Sequence, residues 1–217
     1  MALIDLVREY HNVLDSNTCN QIIERFDNDK RKYEGFVIGE DEGKQVKRST
    51  DLSISSLVEW KDIDNLFFDI ISKYRDPYLN LLKKTWHRVG FGKLRDDGYQ
   101  IQCTKPGGFY HWHSDDTVKV APKVEIHTDS TGRRYIPSDT RIYTYILYLN
   151  DVDVMKQRGR TQFYLDGEIH NITPEAGKLL LFPADIIFTH RGETLTDGVK
   201  YLMTGWVSEN SSVYLRA

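Results

Sequence analysis

The sequence has few of the features that mark secreted or membrane-bound proteins. It holds only two cysteines among 217 residues, Cys19 and Cys103, and both fit better as small core residues than as a disulfide. No apolar run approaches the length of a membrane span, and acidic residues interrupt the N-terminal stretch where a signal peptide needs an apolar segment. We therefore expect a protein of the cytoplasm that has no membrane partner.

A strong net charge is also absent. The formal net charge is −3 and no basic stripe is present, so we do not expect a nucleic-acid partner. Aromatic residues are plentiful instead, and thirteen Tyr and nine Phe favour a β-rich interior. The length suits one domain with a sizeable core, which we expect to span residues 1–217, while the oligomeric state stays open.

The N-terminal part of this domain, about residues 1–95, is predicted to support the rest with helices and short strands. Residues 3–10 have the pattern of a strand, and Asp15 or Ser16 predicts the start of a helix. Apolar residues at helical spacing predict a second helix over residues 63–74. Pro77 either ends this helix or begins its continuation.

Short apolar or alternating runs replace this pattern between about residues 96 and 210. Helices first and strands afterwards favour an antiparallel sandwich or barrel with helices packed outside. Residues 27–49 are predicted as a polar loop or hairpin near the surface, and residues 115–141 as a long, charged connection. The predicted strands are Tyr99–Cys103, Arg141–Leu149, Thr161–Leu165, Lys178–Phe182, Ile186–Phe188 and Tyr201–Val207.

Two separated fragments carry the residues best suited to chemistry. His113 and Asp115 alternate along a predicted strand, which sends both side chains to one face, and His190 is followed ten residues later by Lys200. Two imidazoles and one carboxylate on one face of a metal form the facial triad of non-haem Fe(II) oxygenases, which leaves positions open for a co-substrate and O₂. The pattern therefore predicts an iron site with a cation available for a second carboxylate.

Short motifs of this kind also arise by chance, and the chain has a second His-x-Asp pair, His127 and Asp129. That pair lies in a polar stretch without a strand pattern, so we interpret it as part of a solvated loop. His111 shares the strand face of His113 and is the strongest rival ligand, although packing or substrate contact is the preferred interpretation. His190 has the alternative of a core histidine that bonds a backbone carbonyl.

Several ordered blocks with the spacing of a known family surround these residues. The stretch from about Tyr99 to Val207 resembles the 2-oxoglutarate- and Fe(II)-dependent dioxygenases of the prolyl 4-hydroxylase type, as does the region from Val13 to Cys19. Such blocks in order are more specific than the triad alone. They are Pro106–Tyr110 before His113–Asp115, Arg141–Val152, Gly159–Phe163, Pro174–Lys178, Leu181–Pro183, and His190–Gly192 with Lys200–Tyr201.

The resemblance implies a mostly β fold with flanking helices around a double-stranded β-helix, or jelly roll. It implies that His113, Asp115 and His190 bind Fe(II), and that Lys200 pairs with the distal carboxylate of 2-oxoglutarate. The implied reaction inserts oxygen from O₂ into an unactivated C–H bond and releases succinate and CO₂. No protein acid or base is implied, and a requirement for L-ascorbate is left open.

Two departures from the family pattern affect the expected binding residues. The family often has a Tyr nine residues before the first ligand histidine, but this chain has Thr104, so we expect Tyr143 or Tyr145 from a neighbouring strand to help hold the co-substrate. Two cations, Arg158 and Arg160, stand at a turn that often borders the substrate groove. Arg160 is therefore a candidate substrate-binding residue and permits an acidic substrate.

The resemblance also implies a substrate. Tyr110, Arg141 and Trp206 match positions that line the substrate channel of prolyl 4-hydroxylases, although packing at the barrel edge is an alternative for each. We expect hydroxylation of a prolyl residue in a peptide or protein. Two alternatives stay open: the same cofactors acting on another side chain, a free amino acid, a small metabolite or a nucleobase, and a non-catalytic jelly-roll binding module.

Overall fold

The computed structural model describes residues 1–35, 46–87, 90–116, 118–120 and 126–214. Within these ranges the protein is mostly β, with fourteen strands and three α-helices. The helices are α1 (Ser16–Asn28), α2 (Lys61–Trp86) and α3 (Val154–Gln157), and 3₁₀ turns cover Leu3–Leu6 and Val58–Trp60. None of the helices in these ranges is long and apolar enough to cross a membrane.

The strands form two antiparallel sheets. They are β1 (Arg8–Tyr10), β2 (Tyr33–Glu34), β3 (Lys47–Arg48), β4 (Thr50–Ser53), β5 (Leu94–Thr104), β6 (Phe109–His113), β7 (Val118–Val120), β8 (His127–Thr128), β9 (Arg134–Tyr148), β10 (Thr161–Leu165), β11 (Glu168–Ile172), β12 (Leu179–Pro183), β13 (His190–Gly192) and β14 (Lys200–Tyr214). The larger sheet has the order β1-β12-β9-β14-β5-β4-β2, with β7 and β8 also paired to β9, and the smaller has the order β11-β10-β13-β6-β3. The predicted mostly β fold with flanking helices and a jelly-roll core is confirmed.

The N-terminal region supplies a 3₁₀ turn, an edge strand and a helix. The single strand expected over residues 3–10 is wrong for its first half, which forms the 3₁₀ turn, and only β1 joins the sheet, beside β12. The predicted helix start is confirmed, because the Asp15 carboxylate accepts a hydrogen bond from the Thr18 amide at 2.9 Å. Ile22 and Phe26, one turn apart on α1, are buried against the sheet.

The second helix is longer than its apolar spacing over residues 63–74 predicted. It continues through Pro77, although this residue removes one backbone hydrogen bond. Tyr78 and Leu82, beyond the proline, are fully buried and hold the last turns in place. Tyr78 packs edge-on against Tyr143 of β9, with ring centroids 5.3 Å apart, so α2 covers the outer face of the larger sheet.

Strand alternation separates an apolar outer face of the larger sheet from a polar inner face. On β9, Tyr143 and Tyr145 belong to the apolar core, whereas Thr144 and Ile146 line the space between the sheets. The inner face of β14 repeats this pattern with Lys200, Leu202, Thr204 and Trp206. The polar side chains of both strands therefore converge between the two sheets.

The long connection predicted over residues 115–141 is shorter than expected. β7 and β8 pair with the first half of β9, and this half pairs in turn with the end of β14. The larger sheet therefore reaches beyond the part that faces the smaller sheet. Residue 117 and residues 121–125 of this connection lie outside the described ranges.

Two further segments differ from their prediction. The loop expected over residues 27–49 contains β2 and β3, and its residues 36–45 lie outside the described ranges. The strand expected over residues 186–188 is a turn, and β13 begins at His190. A short apolar run does not by itself distinguish a strand from a packed turn.

Candidate metal and co-substrate site

Three side chains that are distant in sequence meet between the sheets. β6 and β13 pair so that His190 lies directly opposite His113, and Asp115 follows β6. The Asp115 carboxylate places Oδ1 3.8 Å from His113 Nε2 and Oδ2 3.7 Å from His190 Nε2. The three donor atoms lie within 4.8 Å of one another, close enough to hold one metal ion.

Hydrogen bonds to the backbone and to a hydroxyl group orient the three donors. His113 Nδ1 lies 2.8 Å from the His111 carbonyl oxygen, and His190 Nδ1 lies 3.0 Å from that of Phe188. Each Nδ1–H donates to its carbonyl, which leaves the Nε2 lone pair directed at the site. Thr144 Oγ1 donates to Asp115 Oδ2 at 2.7 Å. Two oriented imidazoles and one oriented carboxylate fit an Fe(II) ion with open coordination positions.

The surroundings set the charge of two of these groups. Burial, with a contribution from the neighbouring His190, lowers the pKa of His113 to about 3. Burial would raise the pKa of Asp115, but His190, His113 and the Thr144 hydroxyl together hold it below its ordinary value. At neutral pH the site therefore presents a neutral His113 and an ionised Asp115, which are the forms that bind a metal.

A cavity of about 800 Å³ connects the triad with Lys200. Lys200 begins β14 opposite Thr104, and only 4% of its surface is exposed. Its Nζ donates to the Gly159 carbonyl oxygen at 2.9 Å. Burial lowers the pKa of Lys200 to about 8, an effect that the Glu193 carboxylate partly opposes. The cavity therefore contains a buried cation suited to an anionic group.

Two predicted binding residues lie on the cavity wall near these groups. Thr104 is buried and faces the cavity beside Lys200. Tyr110 stacks on the His113 ring with centroids 3.6 Å apart, and it also lines the cavity. Its position fits a contact with whatever approaches the metal, while the stacking helps to hold the imidazole plane.

Arg141 and Trp206, also predicted to bind substrate, form one unit on the cavity wall. The Arg141 guanidinium carbon lies 3.7 Å from the centre of the Trp206 ring, a cation–π contact. Arg141 also donates to the Asp115 carbonyl oxygen at 3.4 Å. Trp206 Nε1 is buried without a hydrogen-bond partner among the described residues. The unit thus has an unused donor near the metal site.

Tyr143 and Tyr145 do not line the cavity, so the prediction that one of them holds the co-substrate is corrected. Tyr145 donates to Asp96 Oδ1 at 2.8 Å on the outer face of the sheet, and Tyr143 packs there against Tyr78. The reason is strand alternation: once Thr144 points inward to Asp115, both of its neighbours must point outward.

Arg160 lies away from the cavity wall, paired with Glu193. Arg160 NH1 lies 3.1 Å from one Glu193 oxygen, and Arg158 Nε lies 2.9 Å from the other. This group adjoins Gly159, the residue that accepts the hydrogen bond of Lys200. The position does not support the predicted contact of Arg160 with an acidic substrate, because Arg160 is not among the residues that line the cavity and its guanidinium group already pairs with Glu193.

Sequence reasoning missed several polar residues of the cavity. Thr161 is buried, lines the cavity and accepts a hydrogen bond from the Tyr148 hydroxyl at 2.7 Å. Thr144 has a feature that the sequence shows, because it is a polar residue inside the apolar run 142–149, whereas Thr161 begins its strand next to Gln162 and has no such signal. Gln100 and Gln102 alternate with buried residues of β5 and could have been found in the same way.

The rival histidines have other surroundings. His127 stacks on Tyr135 with centroids 5.5 Å apart, and the exposed His111 packs against Phe109. Asp129 caps a turn by accepting from Thr131. Among the described residues, the triad is the one group of three potential ligands close enough to bind a single metal ion.

Comparisons with known proteins agree with this geometry. No curated protein matches the sequence. A viral collagen prolyl hydroxylase from Paramecium Bursaria Chlorella virus-1, solved with 2-oxoglutarate, shares the fold at TM-score 0.59 and 19% identity, with 94% of this chain and 96% of that one covered. A Pseudomonas putida prolyl-4-hydroxylase shares the fold at a TM-score of 0.59 and 15% identity, with 94% of this chain and 96% of that one covered.

A prolyl hydroxylase from Trichoplax adhaerens, solved with a peptide of a hypoxia inducible factor, gives a TM-score of 0.65 at 15% identity and covers 93% of this chain and 82% of that one. These likenesses concern the fold. A sequence model of the 2OG-Fe(II) oxygenase superfamily matches residues 99–208, which include the triad and Lys200 and make up slightly more than half of the chain. The chain therefore belongs to the 2OG-Fe(II) oxygenase superfamily.

Proposed function

We propose that this oxygenase hydroxylates a prolyl residue in a peptide or protein, and that His113, Asp115 and His190 bind its iron. The observation that carries the proposal is a single cavity that holds a three-donor metal site and a buried cation, Lys200. A co-substrate that chelates a metal and ends in a second carboxylate needs both features. We expect residues 1–217 to act as one catalytic unit.

As a member of the superfamily, the enzyme uses Fe(II) and 2-oxoglutarate. When bound, these groups with O₂ supply the oxidising power to hydroxylate an unactivated C–H bond, with release of succinate and CO₂. The protein's part is to hold the donors and the substrate in place. Thr144 fixes the Asp115 carboxylate, and backbone carbonyls fix the rings of His113 and His190.

Lys200 is the residue we assign to the distal carboxylate of 2-oxoglutarate. Its ammonium group is buried in the cavity wall, where a carboxylate gains more from a charge-assisted hydrogen bond than it would in water. Thr104 lies beside it, and Thr161 offers a hydroxyl hydrogen to the cavity because its oxygen already accepts from Tyr148. Of these two residues, Thr104 is the one at the position where the family often has a Tyr.

Two features of the cavity favour a peptide substrate. Trp206 Nε1 is a buried donor without a hydrogen-bond partner among the described residues, and a substrate carbonyl could satisfy it once the side chains that cover it move aside. The neighbouring part of the wall, on β5, is neutral and rich in amides, since Gln102 donates to Gln100 at 2.6 Å and Gln100 donates to the Tyr33 hydroxyl at 2.8 Å. Peptide groups, which both donate and accept, suit such surroundings. The related structures named as collagen and hypoxia-factor prolyl hydroxylases support the same class.

The proposal is tested first by anaerobic visible absorption of the protein with Fe(II), before and after addition of 2-oxoglutarate. We expect a weak charge-transfer band in the wild type and in His127→Ala, which alters the other His-x-Asp pair. His190→Ala should lack the band while keeping its circular dichroism spectrum. A band that survives in His190→Ala would contradict the assigned ligands.

The substrate is tested by succinate release and by a mass increase of one oxygen in proline-containing peptides. Matched peptides with alanine in place of proline serve as controls. Turnover of the proline peptides alone would support the proposal. Turnover of a different side chain, a free amino acid, a small metabolite or a nucleobase would keep the cofactor chemistry and reject the prolyl substrate.

A further inference from the structure

Two arginines and one glutamate form a cluster beside Lys200, which we call the Arg–Glu–Arg latch: Arg158, Arg160 and Glu193. The Glu193 carboxylate is only 6% exposed and accepts hydrogen bonds from both guanidinium groups. It also accepts from the Arg160 amide at 3.3 Å, while the Glu193 amide donates to the Arg160 carbonyl oxygen at 2.9 Å. The latch therefore ties the turn at residues 158–160 to the segment that follows β13.

Gly159, the residue between the two arginines, accepts the hydrogen bond that orients the Lys200 side chain. Gly159 has a φ of +80°, and a Cβ at this position would lie 2.6 Å from Leu195 Cδ1, so the turn fits closely against its neighbour. Its carbonyl oxygen accepts the hydrogen bond of Lys200 Nζ at 2.9 Å. This is the one hydrogen bond found for the ammonium group among the described residues, so the position of the turn sets where the ammonium group points.

We propose that Glu193 is a positioning residue for the co-substrate: by holding Arg158 and Arg160, it fixes the Gly159 carbonyl and so aims Lys200 at the distal carboxylate of 2-oxoglutarate. This inference rests on the proposed role of Lys200. In this proposal the two arginines help to fix the Gly159 carbonyl beside the co-substrate pocket, in place of the substrate contact that the sequence suggested.

Whether 2-oxoglutarate binds more tightly or more weakly without the Glu193 charge distinguishes a positioning role from a purely electrostatic one. Glu193 is negative and lines the same cavity, so through space its charge would repel a bound dicarboxylate. On that basis alone, removing the charge would strengthen the binding of 2-oxoglutarate, provided that Lys200 stays charged. Because Glu193 raises the pKa of Lys200, the titrations are made at about pH 6, where the ammonium form does not depend on Glu193. If Glu193 acts through the latch, removing the charge leaves two arginines facing each other, the turn shifts, and binding weakens.

The test compares two ligands of the anaerobic Fe(II) protein by titration of the charge-transfer band. One is 2-oxoglutarate and the other is 2-oxopentanoate, which has a methyl group in place of the distal carboxylate. We expect Glu193→Gln to lower the affinity for 2-oxoglutarate by about tenfold, which corresponds to one misaligned charge-assisted hydrogen bond. The affinity for 2-oxopentanoate should fall by less than about twofold. Arg158→Gln should have a smaller effect, because that side chain is 58% exposed.

Glu193→Asp is a second variant in case Glu193→Gln does not fold. It keeps the charge but is too short to reach both arginines, so the latch predicts weaker 2-oxoglutarate binding and the through-space effect predicts no change. Glu168→Gln, an exposed change on the edge strand β11, is the matched control and should leave both ligands unaffected. Equal weakening of both ligands, or unchanged or tighter 2-oxoglutarate binding, would overturn the inference.

Lys200→Met separates failure of the inference from failure of the proposed function. If this variant still prefers 2-oxoglutarate over 2-oxopentanoate as the wild type does, Lys200 does not hold the distal carboxylate and both proposals fall. If Lys200→Met loses the preference while Glu193→Gln and Glu193→Asp keep it, only the positioning role is rejected. The expected result is loss of the preference in Lys200→Met and partial loss in both Glu193 variants.

Discussion

At the scale of single residues, the site depends on side chains whose hydrogen-bonding groups are held by other groups of the protein. Thr144 donates a hydrogen bond to Asp115, Tyr148 donates one to the Thr161 oxygen, and Lys200 donates one to the Gly159 carbonyl oxygen. Each of these bonds restricts a side chain whose rotational freedom would otherwise be lost on ligand binding. The cavity is therefore prepared for a chelating dicarboxylate before one arrives.

The charge of Lys200 makes co-substrate binding depend on pH. Its pKa of about 8, lowered by burial, means that the ammonium form is complete below this pH and is lost above it. Binding of a carboxylate favours the charged form, so affinity should be constant below about pH 8 and then fall by about tenfold per pH unit. Titrations of 2-oxoglutarate across this range measure the effect.

The control for this prediction is 2-oxopentanoate, which has no group for Lys200 and should show no such decline. Lys200→Met should bind 2-oxoglutarate about 30-fold more weakly at neutral pH and lose the decline. An affinity in the wild type that stays constant through the alkaline range would contradict the assignment.

At the scale of elements, β14 links the two ends of the site. It carries Lys200 at its start and Trp206 six residues later, and its pairing with β5 is irregular between Gly205 and Val207. This bulge sets the position of the Trp206 ring relative to Arg141. Gly205 is needed at the bulge because the outer face of the sheet is crowded there.

Replacement of Gly205 by alanine tests the crowding. A Cβ at this position would lie 2.6 Å from Tyr145 Cζ, and closer still to the Tyr145 hydroxyl and the Gly98 carbonyl oxygen. The Tyr145 ring would have to move and weaken its bond to Asp96, so we expect a loss of about 2 kcal/mol in the free energy of unfolding. Urea denaturation measures it.

Gly90→Ala is the matched control, since among the described residues no atom beyond the chain neighbours lies within 4 Å of a Cβ there. Its effect on the free energy of unfolding should stay within about 0.5 kcal/mol. If Gly205→Ala is as stable as this control, the close packing of β14 against Tyr145 is not what requires glycine.

At the scale of the whole molecule, the site joins the two sheets. His113 and His190 belong to the smaller sheet, whereas Thr144 and Lys200 belong to the larger one. A metal and a co-substrate held between them would bind the folded protein and not the unfolded chain. Binding at the site should therefore raise the free energy of unfolding of the whole protein.

Differential scanning calorimetry under anaerobic conditions tests this expectation. Fe(II) and 2-oxoglutarate at about 100 times their dissociation constants should each add about 2.7 kcal/mol, so together they raise the Tm by about 11–22 °C for a chain of this size. EDTA should reverse the gain. In His190→Ala the same additions should change the Tm by less than about 2 °C, and an equal rise in this variant would show that the ligands bind elsewhere.

The sequence was enough for those parts of the structure and site that depend on local pattern. The cap at Asp15, the apolar face of α2 and the alternation of the strands follow from spacing along the chain. The choice of His113 over His127 also followed from the sequence, but its reason was wrong in part, because His127 lies in the short strand β8 and not in a loop; it is exposed there, away from the triad. The continuation of α2 through Pro77 did not, since it depends on burial beyond the proline.

What the sequence by itself determined is the family and the candidate set of metal donors, because residue type and spacing carry both. Only the tertiary structure decided which side of β9 faces the cavity, which excludes Tyr143 and Tyr145 and admits Thr144. It likewise decided that Arg160 meets Glu193. The physical reason is that a strand has two equivalent faces, and an ion pair between distant residues exists only once the sheets have brought them together.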